Sequence, residues 1–407
     1  MSANVPKIGI VLGPHFVRLA SNFGFMESYF YDSQKGNIPK PYSLTGISSG
    51  SFSCGIFAPW TELPIIKGRN MLLNLRGSHF FSLNRELLVS GGIETLMPAL
   101  LPFLPWERIE NSYLRNAAKL LGISAFLGLE YKFVRNLFNA RSIFSNERLR
   151  QLLLKPFDAD GFLDFEGIFS SDIKVDIVSA NINGCQESDS NVVPYVVTNY
   201  RPEHKNKDIF VDGIVRSTSV PAFFPTSPIG NGEFTTDGGV YEAFPIEIPY
   251  NHGCDVIVLV KFRYAGQGYL EHDYSKFMSS LHRSTDILVD NKGALVIRGA
   301  LNINNDLVQI QRMQKGINQL ERLANELHGE LRKEIEARIK DLDDTLVNLT
   351  AFGKRHYNLV ILSSRREIPE FNFRGNFDHM LNLGREIGLE TYNDSKEEIY
   401  RAAEMAA

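Results

Sequence analysis

Short apolar runs, broken by glycine and separated by helix-length amphipathic stretches, recur along this chain. Residues 7–12 (KIGIVL) form a run of the kind that fills a strand buried on both faces. Gly13-Pro14 breaks it, and residues 17–31 read as a helix. A second short strand at 42–45 runs into Gly46 and a stretch of small residues, SSGSFSCGIFA. Further strands are expected at 174–180 (KVDIVSA), 192–198 (VVPYVVT), 233–236, 255–262 (DVIVLVKF) and 357–363 (YNLVILS), with helical patterns between most of them. This alternation predicts an α/β layered fold around a mostly parallel sheet.

Two insertions interrupt the pattern. Residues 60–145 contain the apolar stretch 87–106 (LLVSGGIETLMPALLPFLPW). Its Pro98, Pro102, Pro105 and Gly91-Gly92 would break a membrane-spanning helix, so it reads as a cap over the sheet or as a surface that touches lipid. Within 306–349, apolar residues fall at Met313, Ile317, Leu320, Leu327, Leu331, Ile335, Ile339, Leu342 and Leu346, with charged and amide residues between. That is an amphipathic helical stripe with a bend or turn at Gly329. It suits a helix or hairpin packed on the body, or a dimerising coiled coil. No fixed-period repeat is present.

Composition narrows the classes. The 407 residues are 43% hydrophobic and 22% charged, ordinary for a globular chain. The net charge of −4 lacks the basic excess that phosphate-backbone binding leaves, which argues against a nucleic-acid partner. Cys54, Cys185 and Cys254 have neither disulfide parity nor zinc spacing. No signal peptide is visible at the N-terminus, and a reducing, cytoplasmic setting is expected. There is no HExxH, P-loop or G-x-G-x-x-G after the first strand, so neither a metal nor a nucleotide cofactor is expected.

Two short motifs carry chemistry. Gly46-Ile47-Ser48-Ser49-Gly50 fits G-x-S-x-G, in which a strand turns sharply into a helix and holds a serine at the tip. The glycines admit neighbouring chain, and the helix N-terminus presents N–H groups to a developing oxyanion. Asp237-Gly238-Gly239 follows the strand-like EFTT. The same dipeptide at Asp212-Gly213 opens a helical pattern and reads as an N-cap.

Longer blocks extend these motifs. They are 142–154 (SIFSNERLRQLLL), 178–184 (VSANING), 215–225 (VRSTSVPAFFP) running on to 234–239 (FTTDGG), and 251–260 (NHGCDVIVLV). Together they resemble the patatin-like phospholipases, lipid acyl hydrolases with a serine–aspartate dyad. The resemblance implies a three-layer fold, a mostly parallel central sheet with helices on both faces and helical insertions. It implies a catalytic domain over 1–390 that includes the insertions 60–145 and 306–350, and a C-terminal helix or tail at 391–407.

Carried over by position, Ser48 is the nucleophile and Asp237 its base, tuned upward by burial. Gly46, Ile47, Ser49 and Gly50 form the elbow, and Arg18, Gly238 and Gly239 support the loops. Backbone N–H groups of Gly13, His15, Phe16 and Ser49 would make the oxyanion hole. Here the chain departs from the family: three of its loop glycines are Pro14, His15 and Phe16, and proline has no N–H. A Ser–Asp–His triad drawing on His252, His356 or His379 is the rival arrangement.

The expected function is release of fatty acid from phospholipid or another acyl lipid at a peripheral membrane surface. The alternatives are a pseudoenzyme that binds lipid or protein, and acyl transfer through the same dyad. A protein activator, or a homodimer through 306–349, would use the amphipathic insertion.

Overall fold

A parallel strand buried on both faces needs apolar side chains in both directions, and the first strand of this chain takes the central position such a sequence allows. The computed structural model describes residues 5–14, 19–75, 82–83, 142, 144–183, 193–221, 223–230, 232–262, 277–347, 351, 353–366 and 377–406. The first segment comprises β1 (Ile8–Leu12), α1 (Leu19–Gln34), β2 (Ser43–Ile47), α2 (Ser49–Phe57) and α3 (Glu62–Leu73). A separate two-residue pairing of β3 (Ser82–Leu83) with β4 (Phe144–Ser145) follows. Next come α4 (Glu147–Leu153), α5 (Phe165–Ser170), β5 (Lys174–Asn181), β6 (Val193–Thr198) and α6 (Lys207–Ser217). The hairpin β7 (Ser227–Gly230) and β8 (Glu233–Thr236) leads to the short α7 (Glu247–Asn251) and to β9 (Val256–Lys261). Two helices, α8 (Phe277–Glu326) and α9 (Glu330–Val347), precede β10 (Leu359–Ser363) and α10 (Phe377–Ala406).

The sheet runs β10-β9-β1-β2-β5-β8-β7, with β6 also on β5. Strands β10, β9, β1, β2 and β5 are parallel, and β6, β8 and β7 are antiparallel additions. Alternate residues of one strand enter different cores. Ile8, Ile10 and Leu12 join Val256, Val258 and Val260 against α1, α2, α6 and α10, whereas Val11, Ile257 and Leu259 face Phe244, Ile246 and Ala300. These are the three layers expected, helices on both faces of a mostly parallel sheet.

Strand β5 has two edges, and their use positions everything that follows. Strand β6 occupies one edge along Asp176–Asn181. The other edge is shared: β2 pairs up to Ile47 opposite Val178, and β8 comes from the opposite direction with Thr236 opposite Ala180. The two strands therefore end head to head beside Ser179. The residues that leave them there are Ser48 and Asp237, 189 positions apart in sequence.

Several expectations shift at the boundaries. Asp212 is not an N-cap: it lies inside α6, where it accepts a 2.7 Å hydrogen bond from Arg150 Nε. Asn206 caps that helix instead, accepting from the Asp208 and Ile209 N–H groups at 2.8 and 3.4 Å. Gly213 is internal because the helix packs closely there, a Cβ falling 2.9 Å from the Val197 side chain. The amphipathic stripe of 306–349 closes on itself as a hairpin. Gly329, at φ 73°, separates α8 from α9, and Ile310, Ile317 and Leu346 are buried together with Ala351. The stretch 87–106 lies outside the described residues. Among the described residues no helix is long and apolar enough to cross a membrane.

The expected boundary at 390 falls within α10, which is bound to α1 along its length. The helices cross at small residues: a Cβ on Gly24 would lie 2.2 Å from Arg385 O, and one on Gly388 would lie 2.1 Å from Ser21 O. Buried Glu27 of α1 is held between Arg69 and Arg385, whose Nε donates to it at 2.7 Å. Beyond residue 390, Tyr392 and Tyr400 both donate to Asp32. Replacing Glu27 with Ala leaves two guanidinium groups without their carboxylate at a helix crossing. We expect Glu27→Ala to destabilise the protein by about 3 kcal/mol in urea unfolding, whereas a change below about 0.5 kcal/mol would show the crossing to be held by packing alone.

Candidate active site

Strand β2 ends at Ile47 and α2 begins at Ser49, which leaves Ser48 alone to turn the chain. It does so at φ 50°, ψ −121°; among the described non-glycine residues only Ser48 and Trp60 have positive φ. Such a backbone costs on the order of 1–3 kcal/mol and persists only where its surroundings fix it. The flanking glycines follow from crowding. A Cβ on Gly50 would lie 2.3 Å from Leu12 O, and one on Gly46 would lie 2.7 Å from Ser51 Cα, because α2 folds back over the ends of β1 and β2. Ser48 is buried, and Ser49 and Gly50 open the helix that carries its positive dipole end toward it.

Asp237 leaves β8 from the other side. Its N–H donates to Ser219 O at 2.9 Å, and the preceding Thr236 Oγ1 donates to the same carbonyl at 2.8 Å. The carboxyl's Oδ1 accepts from the Gly239 N–H at 2.8 Å. Oδ2 has no partner at full hydrogen-bonding geometry among the described residues, although the Ser48 hydroxyl is near enough to act on the carboxyl. Burial pushes the Asp237 pKa up to about 6, opposed in part by the Ser48 hydroxyl and then by the Gly239 N–H. Gly238 is wedged between the Val178 carbonyl, 2.2 Å from where a Cβ would be, and the Ile47 side chain. Gly239 passes beside Pro14.

One residue joining the two halves was not singled out from sequence, although it sits in the 215–225 block. Ser217, fully buried at the end of α6, donates from Oγ to Val178 O at 2.6 Å. It accepts from the Ser48 N–H at 2.9 Å and from Ser51 Oγ at 2.8 Å. Nothing in the pattern VRSTSVP distinguishes this hydroxyl from its neighbours, because its role depends on a strand end 39 residues away.

On the oxyanion side, Gly13 ends β1 against the Phe244 ring, and its carbonyl accepts from Asn22 Nδ2 at 3.2 Å. The same Nδ2 reaches Ser49 Oγ at 3.4 Å, so Asn22 spans the first loop and the elbow helix. His15, Phe16 and Arg18 lie outside the described residues. The rival histidines lie elsewhere. His252 Nε2 is 2.8 Å from Asp176 Oδ2, beside the Tyr200 hydroxyl that donates to Oδ1, while His356 and His379 are exposed. Glu242, on the loop after Asp237, is a second titratable group that the sequence did not mark: burial, then the nearby Glu247, raises it to about 7 against the pull of Lys292. Among the described residues no group of three or more His, Cys, Asp and Glu side chains is placed to hold a metal ion.

The sequence profile described as patatin-like phospholipase matches residues 16–250. No curated protein sequence matches the chain. Among solved structures, the crystal structure of VipD from Legionella pneumophila aligns at a TM-score of 0.36 and 13% identity, over 97% of this chain and 68% of that one. The profile match spans more than half of the chain and takes in both the Ser48 elbow and the Asp237 turn, so the chain belongs to the patatin-like phospholipases, a family of lipid acyl hydrolases.

Proposed function

We propose that this chain is a hydrolase of the phospholipase A or lysophospholipase type, cleaving ester-linked fatty acid from phospholipid at a membrane surface through a Ser48 acyl-enzyme. The observation that carries the reading is a strained, buried serine at a helix N-terminus beside a buried carboxyl whose Oδ2 is unpartnered among the described residues. Asp237, with its pKa near 6, is ionised near neutrality yet a far better base than a free aspartate. It takes the Ser48 proton as Oγ attacks the ester carbonyl. The developing oxyanion faces the Ser49 N–H and the α2 dipole. The alcohol portion leaves with the proton from Asp237, and water, deprotonated by the same carboxylate, releases the fatty acid and restores Ser48.

A second reading has a specific observation behind it. Pro14 stands where the family has a glycine and has no N–H to give, and loss of one oxyanion donor costs about 10²–10³ in rate. On that reading the chain binds lipid or protein and turns over slowly or not at all. Acyl transfer to an acceptor other than water would use the same acyl-enzyme.

Fatty-acid release from mixed phospholipid vesicles separates these. We expect release by the wild type, and a loss of at least about 10³-fold in both Ser48→Ala and Asp237→Asn; equal rates in all three proteins would exclude the dyad. The pH dependence has a definite sign, because the base must be ionised. kcat/KM should rise through a half-maximum near pH 6 and level off above it. A profile that is flat from pH 4 to 8 would contradict Asp237 as the base.

The buried carboxyl also affects stability. Its folded-state pKa lies above the ordinary value, so its favourable contribution is complete below about pH 3.8 and is lost as pH rises through about 6. Asp237→Asn should therefore have a higher Tm than the wild type at pH 8, by up to on the order of 3 kcal/mol in unfolding free energy. The difference should vanish below pH 4. Equal thermal stability of the two proteins at pH 8 would show that the charge is solvated.

A further inference from the structure

We propose that Ser217 is a positioning residue for acyl transfer, its hydroxyl standing in for the main-chain pairing that β2 gives up when it turns at Ser48. The inference rests on the reading of Ser48 as nucleophile and adds a residue to it. A serine hydroxyl has one proton to donate and two acceptor sites. In Ser217 all three are used, on Val178 O, the Ser48 N–H and Ser51 Oγ, so the group has a single orientation. Val178 is the last residue of β5 that β2 pairs with, through Ile47. Past that point the elbow leaves the sheet, and Ser217 inserts its oxygen between the strand's carbonyl and the departing N–H.

Two consequences follow. The N–H of Ser48 is spent on Ser217 and does not serve the oxyanion, which leaves the Ser49 N–H as the donor on this side. The positive φ of Ser48 is also held from outside, by a side chain anchored in a different element. The same short segment holds the base, since Ser219 O takes the N–H of Asp237 and the hydroxyl of Thr236. The end of α6 thus sets the nucleophile with one residue and the base with another two positions on. Without the Ser217 hydroxyl, the Ser48 N–H is left buried without a partner and the elbow can relax, moving Oγ from its alignment with Asp237.

The test compares wild type, Ser217→Ala, Ser217→Cys and Tyr392→Phe in their inactivation by a fluorophosphonate. Tyr392→Phe removes a hydrogen bond to Asp32 far from the site and serves as the control for general destabilisation. We expect Ser217→Ala to lower kinact about 100-fold with KI within about twofold, Ser217→Cys to fall between it and wild type, and Tyr392→Phe to match wild type. Hydrogen exchange at the Ser48 amide should accelerate about tenfold in Ser217→Ala. An unchanged kinact in Ser217→Ala, a loss carried by KI alone, or an equal loss in Tyr392→Phe would overturn the positioning role. If wild type itself does not react, the nucleophile reading fails. Amide exchange then decides on Ser217 separately, and unchanged exchange at Ser48 overturns its role.

Discussion

One edge of β5 is shared by two strands that approach from opposite directions, and the site depends on that arrangement. Strand β2 stops opposite Val178 and β8 stops opposite Ala180. The gap between them is a single residue of β5, and both chains must leave the sheet there. A serine that leaves at the end of one strand and an aspartate that leaves at the end of the other are thereby adjacent, whatever lies between them in sequence. The glycines around the gap follow from the same crowding. Gly238 sits against the Val178 carbonyl and Ile47, while Gly50 sits against the carbonyl end of β1. Ser48, at the carboxyl end of β2, lies where open α/β sheets generally bind ligands.

The frame that holds this edge in place extends to the last helix. Helix α1 follows the first loop and carries Asn22, which spans Gly13 and Ser49. It is clamped from outside by α10 through the close approaches at Gly24 and Gly388 and through Glu27 between two arginines. The C-terminal helix is therefore part of the scaffold of the site rather than an appendage. On the opposite face of the sheet, α8 is fitted to the segment after Asp237. Lys292 donates to the Val240 carbonyl, and Gly293 lies on the Phe244 ring. The segments around Ser48 and Asp237 are thus both held by helices far along the chain.

Much of the sheet was legible because strands buried on both faces have no polar alternation to hide them. KIGIVL and DVIVLVKF could hardly be anything else, and the small residues after Gly46 signalled the sharp turn. Strand β7 (SPIG) was not legible, since a four-residue edge strand containing proline and glycine has no periodicity to read. Asp212-Gly213 misled for a related reason. The dipeptide has the composition of a helix start, but Gly213 is there to let α6 approach Val197, a tertiary demand. Position 390 lies inside a helix, because α10 continues through a polar stretch whose tyrosines are tied to Asp32. In the candidate site, Ser48 and Asp237 were visible as motifs. Ser217, Asn22 and Glu242 were not, because their significance lies in which strand end each one faces.

On the proposed reading Asp237 activates Ser48 and no neighbouring hydroxyl. Serine hydroxyls are dense around the elbow, with Ser49, Ser51, Ser53 and Ser217 all buried close by in the fold. Mass-spectrometric mapping of the residue that carries the phosphonyl group after reaction with a fluorophosphonate distinguishes Ser48 from its neighbours. A single adduct on Ser48 is the predicted result. An adduct on Ser51, Ser217 or a serine outside the site would show that another hydroxyl is the nucleophile.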